Sequence, residues 1–234
     1  MSIAYLPIEI DVRLPDPQII LDYIDAYQLK TKHTTWKIAP ILGRVNTENW
    51  YEGNAYANVI YNRYNTSIKS KTQYANNIDK LMPEIPYMLS QLPFKQLTFG
   101  LLLEQMTEVT KHHDVQAYDI YNDLTEIEHE PRRFNILMTR HSEKAFYLSE
   151  SLESENVYPI ITKENPCFAF NERHYLHGSD YIGPNKVMIM AGGIIDKKKF
   201  KDMIDRNLKK FKDQVIIFPD RSPNSVIRIG SGIE

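Results

Sequence analysis

From residue 94 onward the chain alternates. In "FKQLTFGLLLEQ", Leu97, Phe99, Leu101 and Leu103 recur at every second position against smaller or polar neighbours, which is the period of a β-strand. The stretches "RRFNILMTR", "KAFYLSE", "NVYPIIT", "PCFAF", "RHYLHG" and "KVMIMAGGII" read the same way. Short strands joined by turn-rich segments predict an antiparallel sandwich or barrel. Two stretches carry the helical period instead. "LPDPQIILDYIDAY" offers Asp16 as N-cap, Pro17 at the first helical position, and Ile20, Leu21 and Ile24 on one face. "DKKKFKDMIDRNLKKFKD" places Phe200, Met203, Ile204, Leu208 and Phe211 on one stripe, so its lysines form the wet face of an amphipathic helix. "NNIDKLMPEIPYMLSQLP" suggests short helices broken by Pro83 and Pro86 and stopped by Pro93. Residues 36–72, rich in Tyr, Asn and Trp, carry no clear period.

The pattern predicts one domain over 1–234: a helical and irregular N-terminal part of about 1–93, a β core of about 94–195, and a C-terminal helix and tail of about 196–234. The expected fold class is a mostly β core with flanking helices. A hydrophobic fraction of 42% and a charged fraction of 25% suit a globular chain of this size. The formal net charge of −2 argues against a nucleic-acid binder. The single cysteine, Cys167, excludes an intrachain disulfide and suits a reducing compartment. The first thirty residues lack a basic segment followed by an apolar one, and no apolar run approaches the roughly 18 residues that span a bilayer. A soluble, cytoplasmic protein is the expectation, with no membrane partner.

The candidate chemistry lies in "KHHDVQAYD", residues 111–119. Neighbouring side chains on an extended chain point to opposite faces, so both histidines cannot aim at one ion. His112 shares a face with Asp114; His113 shares one with Val115. A metal site here therefore uses His112 and Asp114, and the plain alternative is a hydrogen-bonded pair near a strand end. A third ligand should come from a later strand, where "NERHYLHGSDYIGPNK" offers His174 and His177. Three residues apart, they face opposite ways on a strand, and periodicity does not choose between them. Two imidazoles and one carboxylate on one side of an ion form the arrangement of non-haem Fe(II) oxygenases.

In order and spacing, "LPFKQLTFGLLLEQMTEVTKHHD", "RRFNILM" and "PCFAFNERHYLHGSDYIGPNKVMIMAGGII" resemble the core of Fe(II)/2-oxoglutarate-dependent dioxygenases over roughly residues 83–196. The layout is nearest to the aspartyl/asparaginyl and prolyl hydroxylase-like branches. The resemblance implies a double-stranded β-helix of the cupin, or jelly-roll, type. It also implies Fe(II) on His112, Asp114 and His177, with 2-oxoglutarate and O2 as cosubstrates. In that family a distal histidine is followed about ten residues later by a basic residue that grips the far carboxylate of 2-oxoglutarate. Lys186 lies nine residues after His177 and twelve after His174, which favours His177. The usual residue is arginine, and a lysine lacks its planar two-pronged contact. Arg133, on one strand face with Asn135 and Leu137, is the second candidate for that cofactor-binding role, with Asn135 beside it. The implied activity is hydroxylation of an amino-acid residue in a peptide or protein, or of a small polar substrate. A cupin-like hydrolase or isomerase using Zn(II) or Mn(II), and a non-catalytic binding protein with a relic barrel, are the competing readings. The acidic stretch from Asp114 to Glu130 reads as an exposed loop or as a lid over the site.

Overall fold

Alternation along residues 94–105 yields the longest strand among the described residues, and the rest of the core is assembled around it. A computed structural model describes residues 2–29, 35–44, 72–112, 133–139, 146–149, 151–153, 155, 157–160, 165–171, 176–181, 183–184 and 186–218. The strands are β1 (Ser2–Pro7), β2 (Trp36–Pro40), β3 (Leu42–Arg44), β4 (Thr72–Tyr74), β5 (Phe94–Gln105), β6 (Val109–His112), β7 (Arg133–Leu137), β8 (Tyr147–Ser149), β9 (Val157–Pro159), β10 (Cys167–Phe170), β11 (Leu176–Ser179), β12 (Val187–Ile195) and β13 (Ile216–Phe218). The α-helices are α1 (Pro17–Tyr27), α2 (Ile78–Leu81), α3 (Glu84–Ser90) and α4 (Lys197–Lys210).

The strands form a seven-stranded sheet in the order β13-β1-β10-β7-β12-β5-β2, a four-stranded sheet in the order β6-β11-β8-β9, and the ribbon β3-β4. Every pairing is antiparallel. From β5 to β12 the chain deals its strands alternately. The first, eighth, third and sixth are neighbours in the large sheet; the second, seventh, fourth and fifth make up the small one. The result is a β-rich core of two sheets with flanking helices.

The large sheet is covered on both faces, so its strands bury consecutive residues as well as alternate ones. One face, with Leu102, Phe134, Ile136, Ala169, Val187 and Ile189, packs under the helices against Ile20, Ile24, Ile85, Met88, Phe200 and Ile204. The other face, with Leu101, Leu103, Leu137, Phe168 and Phe170, meets Phe146, Leu148 and Ile160 from the small sheet's side. Helix α1 starts as its sequence predicts, with the Asp16 side chain accepting from the Gln18 N–H and Pro17 at the first position. Helix α4 is capped by Asp196, which accepts from the Lys199 N–H, and buries Phe200, Met203, Ile204 and Asn207.

Two expectations need correction. Residues 1–93 are not only helical and irregular: they contribute β1 to β4, and β1 and β2 join the large sheet. Pro86 does not break a helix. It sits in the first turn of α3, where a missing N–H removes no intrahelical bond. Among the described residues, no helix is long and apolar enough to cross a membrane.

Candidate functional site

Strand β6 pairs with β11 so that His112 lies directly opposite His177, and directly opposed residues project to the same face of a sheet. The next pairing is Ser179 with Val109, a shift of register. This bulge gives β6 one extra residue. It explains why Val109 and His112, three apart, both line one cavity. The two imidazole centroids are 4.3 Å apart, with the rings inclined by 52°. Two nitrogens bound to one ion at about 2.1 Å each lie roughly 3 Å from one another, a separation within reach of rings this close.

His112 Nδ1 lies 2.8 Å from the Thr110 carbonyl. A carbonyl only accepts, so Nδ1 carries the proton and Nε2 keeps its lone pair. Metal-binding histidines are oriented in this way by the hydrogen bond at the other nitrogen. Burial lowers the pKa of His112, the Thr110 bond opposes that, and the nearby Arg133 charge lowers it further. The ring is therefore neutral, the state a metal requires. His177 is 4% exposed and is enclosed by aromatic rings, Phe170 at 5.0 Å and Phe146 at 5.9 Å between centroids. Gly178, the next residue, lets β6 and β8 approach β11 closely. A Cβ there would lie 2.8 Å from the Val109 carbonyl oxygen and would collide with the Tyr147 hydroxyl.

The cavity holds about 220 Å³ between the two sheets. Its walls are mainly apolar, among them Leu101, Leu103, Leu137, Phe168, Met188 and Met190. Into them are set His112, His177, Arg133, Asn135, Ser179 and Lys186. Lys186 is 3% exposed and donates to Ser179 Oγ and, at 3.4 Å, to the Asp180 carbonyl. Ser179 Oγ in turn donates to Gln105 Oε1 at 2.9 Å. The Gln105 amide, fully buried, donates to the carbonyls of Thr107, Ser179 and Asp180 at 2.8, 3.1 and 3.3 Å. One amide thus ties β5 of the large sheet to β11 of the small one and orders the lysine's partner. Burial brings the Lys186 ammonium down to about 8, against a smaller opposing pull from Asp180.

Arg133 and Asn135 point into the same cavity, as their shared strand parity predicts. The Arg133 guanidinium lies against Met190 Sδ, 2.8 Å from Nε, and 5.5 Å from the Phe170 ring centroid. Asn135 is 1% exposed, and its Oδ1 has no hydrogen-bond partner among the described residues. Of the residues expected from sequence, His112, His177, Lys186, Arg133 and Asn135 are thus gathered around one cavity. Asp114, His113, His174 and the acidic stretch to Glu130 lie outside the described residues. Among the described residues, no three His, Cys, Asp or Glu side chains form a metal-binding group. Sequence reasoning missed Gln105 and Ser179. Both were open to parity: Gln105 continues the inward series Leu101, Leu103, and Ser179 lies two beyond His177.

No family model and no curated protein matches the chain. Among solved structures, it is similar to a crystal structure described as an oxidoreductase of the 2OG-Fe(II) oxygenase family from Burkholderia pseudomallei. The identity is 7%, 74% of each chain is covered, and the TM-score is 0.36.

Proposed function

We propose that this chain is a non-haem Fe(II)- and 2-oxoglutarate-dependent oxygenase on a double-stranded β-helix, hydroxylating an amino-acid residue or a small polar substrate. The observation that carries the reading is the cross-strand pair His112–His177, at one cavity with the buried Lys186. The alternate dealing of eight strands between two sheets supports the double-stranded β-helix. In this reading His112 through Nε2, His177 and the Asp114 carboxylate hold the metal. Two neutral imidazoles and one carboxylate leave Fe(II) with a net positive charge, suited to an anionic cosubstrate.

When bound, the metal and 2-oxoglutarate supply the oxidising chemistry: 2-oxoglutarate loses CO2 to become succinate, one oxygen atom of O2 enters that succinate, and the other enters the substrate. The chain's own residues bind, orient and keep out water. Lys186 receives the distal carboxylate. Its ammonium is already desolvated and already aimed by Ser179 and Gln105, so an incoming anion meets a prepared charge. Phe146, Phe168 and Phe170 form a dry wall beside His177.

Anaerobic titration with Fe(II) and then 2-oxoglutarate, following the weak visible charge-transfer band of the ternary complex, tests the reading. His112→Ala, Asp114→Ala and His177→Ala should each abolish tight Fe(II) binding, and His113→Ala and His174→Ala should spare it. Tight metal binding without any response to 2-oxoglutarate would transfer the chain to the hydrolase or isomerase class.

A further inference from the structure

Among the described residues two cations, Arg133 and Lys186, line the cavity, and their places differ. Met188 pairs with Leu137 and Met190 with Asn135. Continuing that register sets Lys186 opposite position 139, just past the end of β7, whereas Arg133 begins that strand. At roughly 3.3 Å per residue, the four steps of β7 alone separate the two ends by about 13 Å. The imidazoles lie at the Arg133 end of this line. Phe170 is the register partner of Arg133 and lies beneath its guanidinium, and the same ring packs on His177 at 5.0 Å. The Arg133 charge is also felt by His112. Lys186 is bound instead to Ser179, two residues past His177. A short diacid that runs from the imidazoles to Lys186 therefore has its far end away from Arg133.

We infer that Arg133 and Asn135 are the substrate-specificity determinants of this site, and that they receive a small carboxylic acid bearing an adjacent N–H or O–H donor, a free α-amino or α-hydroxy acid with an apolar side chain. The guanidinium is the half of the pair that takes a carboxylate, with its fork of donors. Asn135 is the other half. It lies two residues on along the same face, almost fully buried, with an oxygen that meets no donor in the described protein. A buried acceptor left without a donor is destabilising, and an ammonium or hydroxyl next to the bound carboxylate removes that cost. Leu101, Leu137, Phe168, Met188 and Met190 in the same lining present apolar surface and sulfur to the side chain. This inference rests on the oxygenase reading for the role of Lys186, but its ligand preference is measurable without turnover.

The test is anaerobic calorimetry on the full chain with three probes: L-leucine, L-leucinamide and 4-methylpentanoate, each with and without Fe(II) and 2-oxoglutarate. Leucine should bind at least tenfold more tightly than leucinamide, which lacks the carboxylate, and more tightly than 4-methylpentanoate, which lacks the donor. 2-Hydroxy-4-methylpentanoate in place of leucine separates the hydroxy-acid from the amino-acid source. Arg133→Met should weaken leucine roughly ten- to a hundredfold and leave 2-oxoglutarate unchanged, with part of the loss restored in Arg133→Lys. Asn135→Leu should erase the preference for leucine over 4-methylpentanoate and raise the melting temperature. Equal binding of leucine and leucinamide, or no binding of any probe, overturns the inference, and that comparison needs only the wild-type protein. A loss of 2-oxoglutarate affinity in Arg133→Met as large as in Lys186→Met also overturns it, since Arg133 then serves the cosubstrate. Arg133-dependent leucine binding by a chain that binds neither Fe(II) nor 2-oxoglutarate would sink the oxygenase reading and leave this one standing.

Discussion

The two faces of the large sheet are made by the same strands and follow different rules. Toward the helices, β5, β7, β10 and β12 present Leu102, Phe134, Ile136, Cys167, Ala169, Val187, Ile189 and Ala191, all apolar and all buried. Toward the small sheet, the alternate positions of the same strands interleave leucine, phenylalanine and methionine with Gln105, Arg133 and Asn135, and Lys186 immediately precedes β12. Burial is equally deep on both sides, so burial alone does not distinguish scaffold from site. The distinction is how many polar groups each face gathers and whether they are paired within the scaffold. A buried polar group costs stability unless it is satisfied. The helix face admits Glu104, paired with Lys37 at 3.3 Å, whereas several polar groups gather on the cavity face, which marks it as the face kept for a ligand.

Truncating one residue on each face gives the largest expected effect. Phe134 is fully buried, with Phe94 at 5.3 Å and Phe200 at 6.5 Å between centroids. Phe134→Ala should cost about 3–5 kcal/mol. Leu137, on the other face, borders a cavity that exists already, so Leu137→Ala should fall near the low end for such a change, about 2 kcal/mol. Urea unfolding of both variants checks the difference, and equal losses would mean that the cavity face is packed as tightly as the helix face.

The second effect is smaller and opposite in sign. Lys186 titrates at about 8 in the folded chain and at about 10.4 when unfolded. Between those values the unfolded state binds more protons, so the stability of the wild type rises with pH across that window. Below pH 8 the full penalty of the buried charge is present. Lys186→Met should therefore stabilise the protein at pH 7, by up to about 3 kcal/mol, and the gap should close by pH 10.5. Thermal melts from pH 7 to 10.5 measure it. A variant less stable than wild type at pH 7 would show that the lysine belongs to the scaffold and not to the site.

The smallest effect concerns Cys167. It is fully buried on the helix-facing side, and burial pushes its thiol far above the ordinary range. Cys167→Ala should cost only about 1 kcal/mol. Iodoacetamide should label the wild type no faster than the chain unfolds, because the thiolate is the reactive form. Rapid labelling of folded protein would contradict a closed helix-facing layer.

How much of this could be read from the chain alone depended on how local each signal was. Helix α1 was legible because Asp16, Pro17 and the Ile20–Ile24 spacing complete it within a dozen residues. Strand β5 was legible because its alternation persists, and α4 because its stripe does. Strand β1 was not. Its Ala4, Tyr5 and Leu6 form a short apolar run, and what makes it a strand is pairing with β10 and β13, more than 150 residues away in the chain. Counting by twos put Arg133, Asn135 and Leu137 on one face but left open whether that face is inner or outer. The period left His174 and His177 undecided, and the spacing to Lys186 favoured His177. What counting by twos could not reveal was the irregular step in β6, or the hold of Gln105 on Ser179, since both depend on which strand lies alongside.

That irregular step has a further consequence. Strand β6 is four residues long, and the inward direction of His112 relative to Val109 depends on one extra residue in it. A single deletion at residue 110 or 111 would remove that extra residue and leave Val109 and His112 two apart, on one face of a regular strand. Heredity at this site is therefore a matter of spelling length as well as letters. Descendants that lose the extra position but keep Val109 and His112 would inherit the arrangement without the bulge.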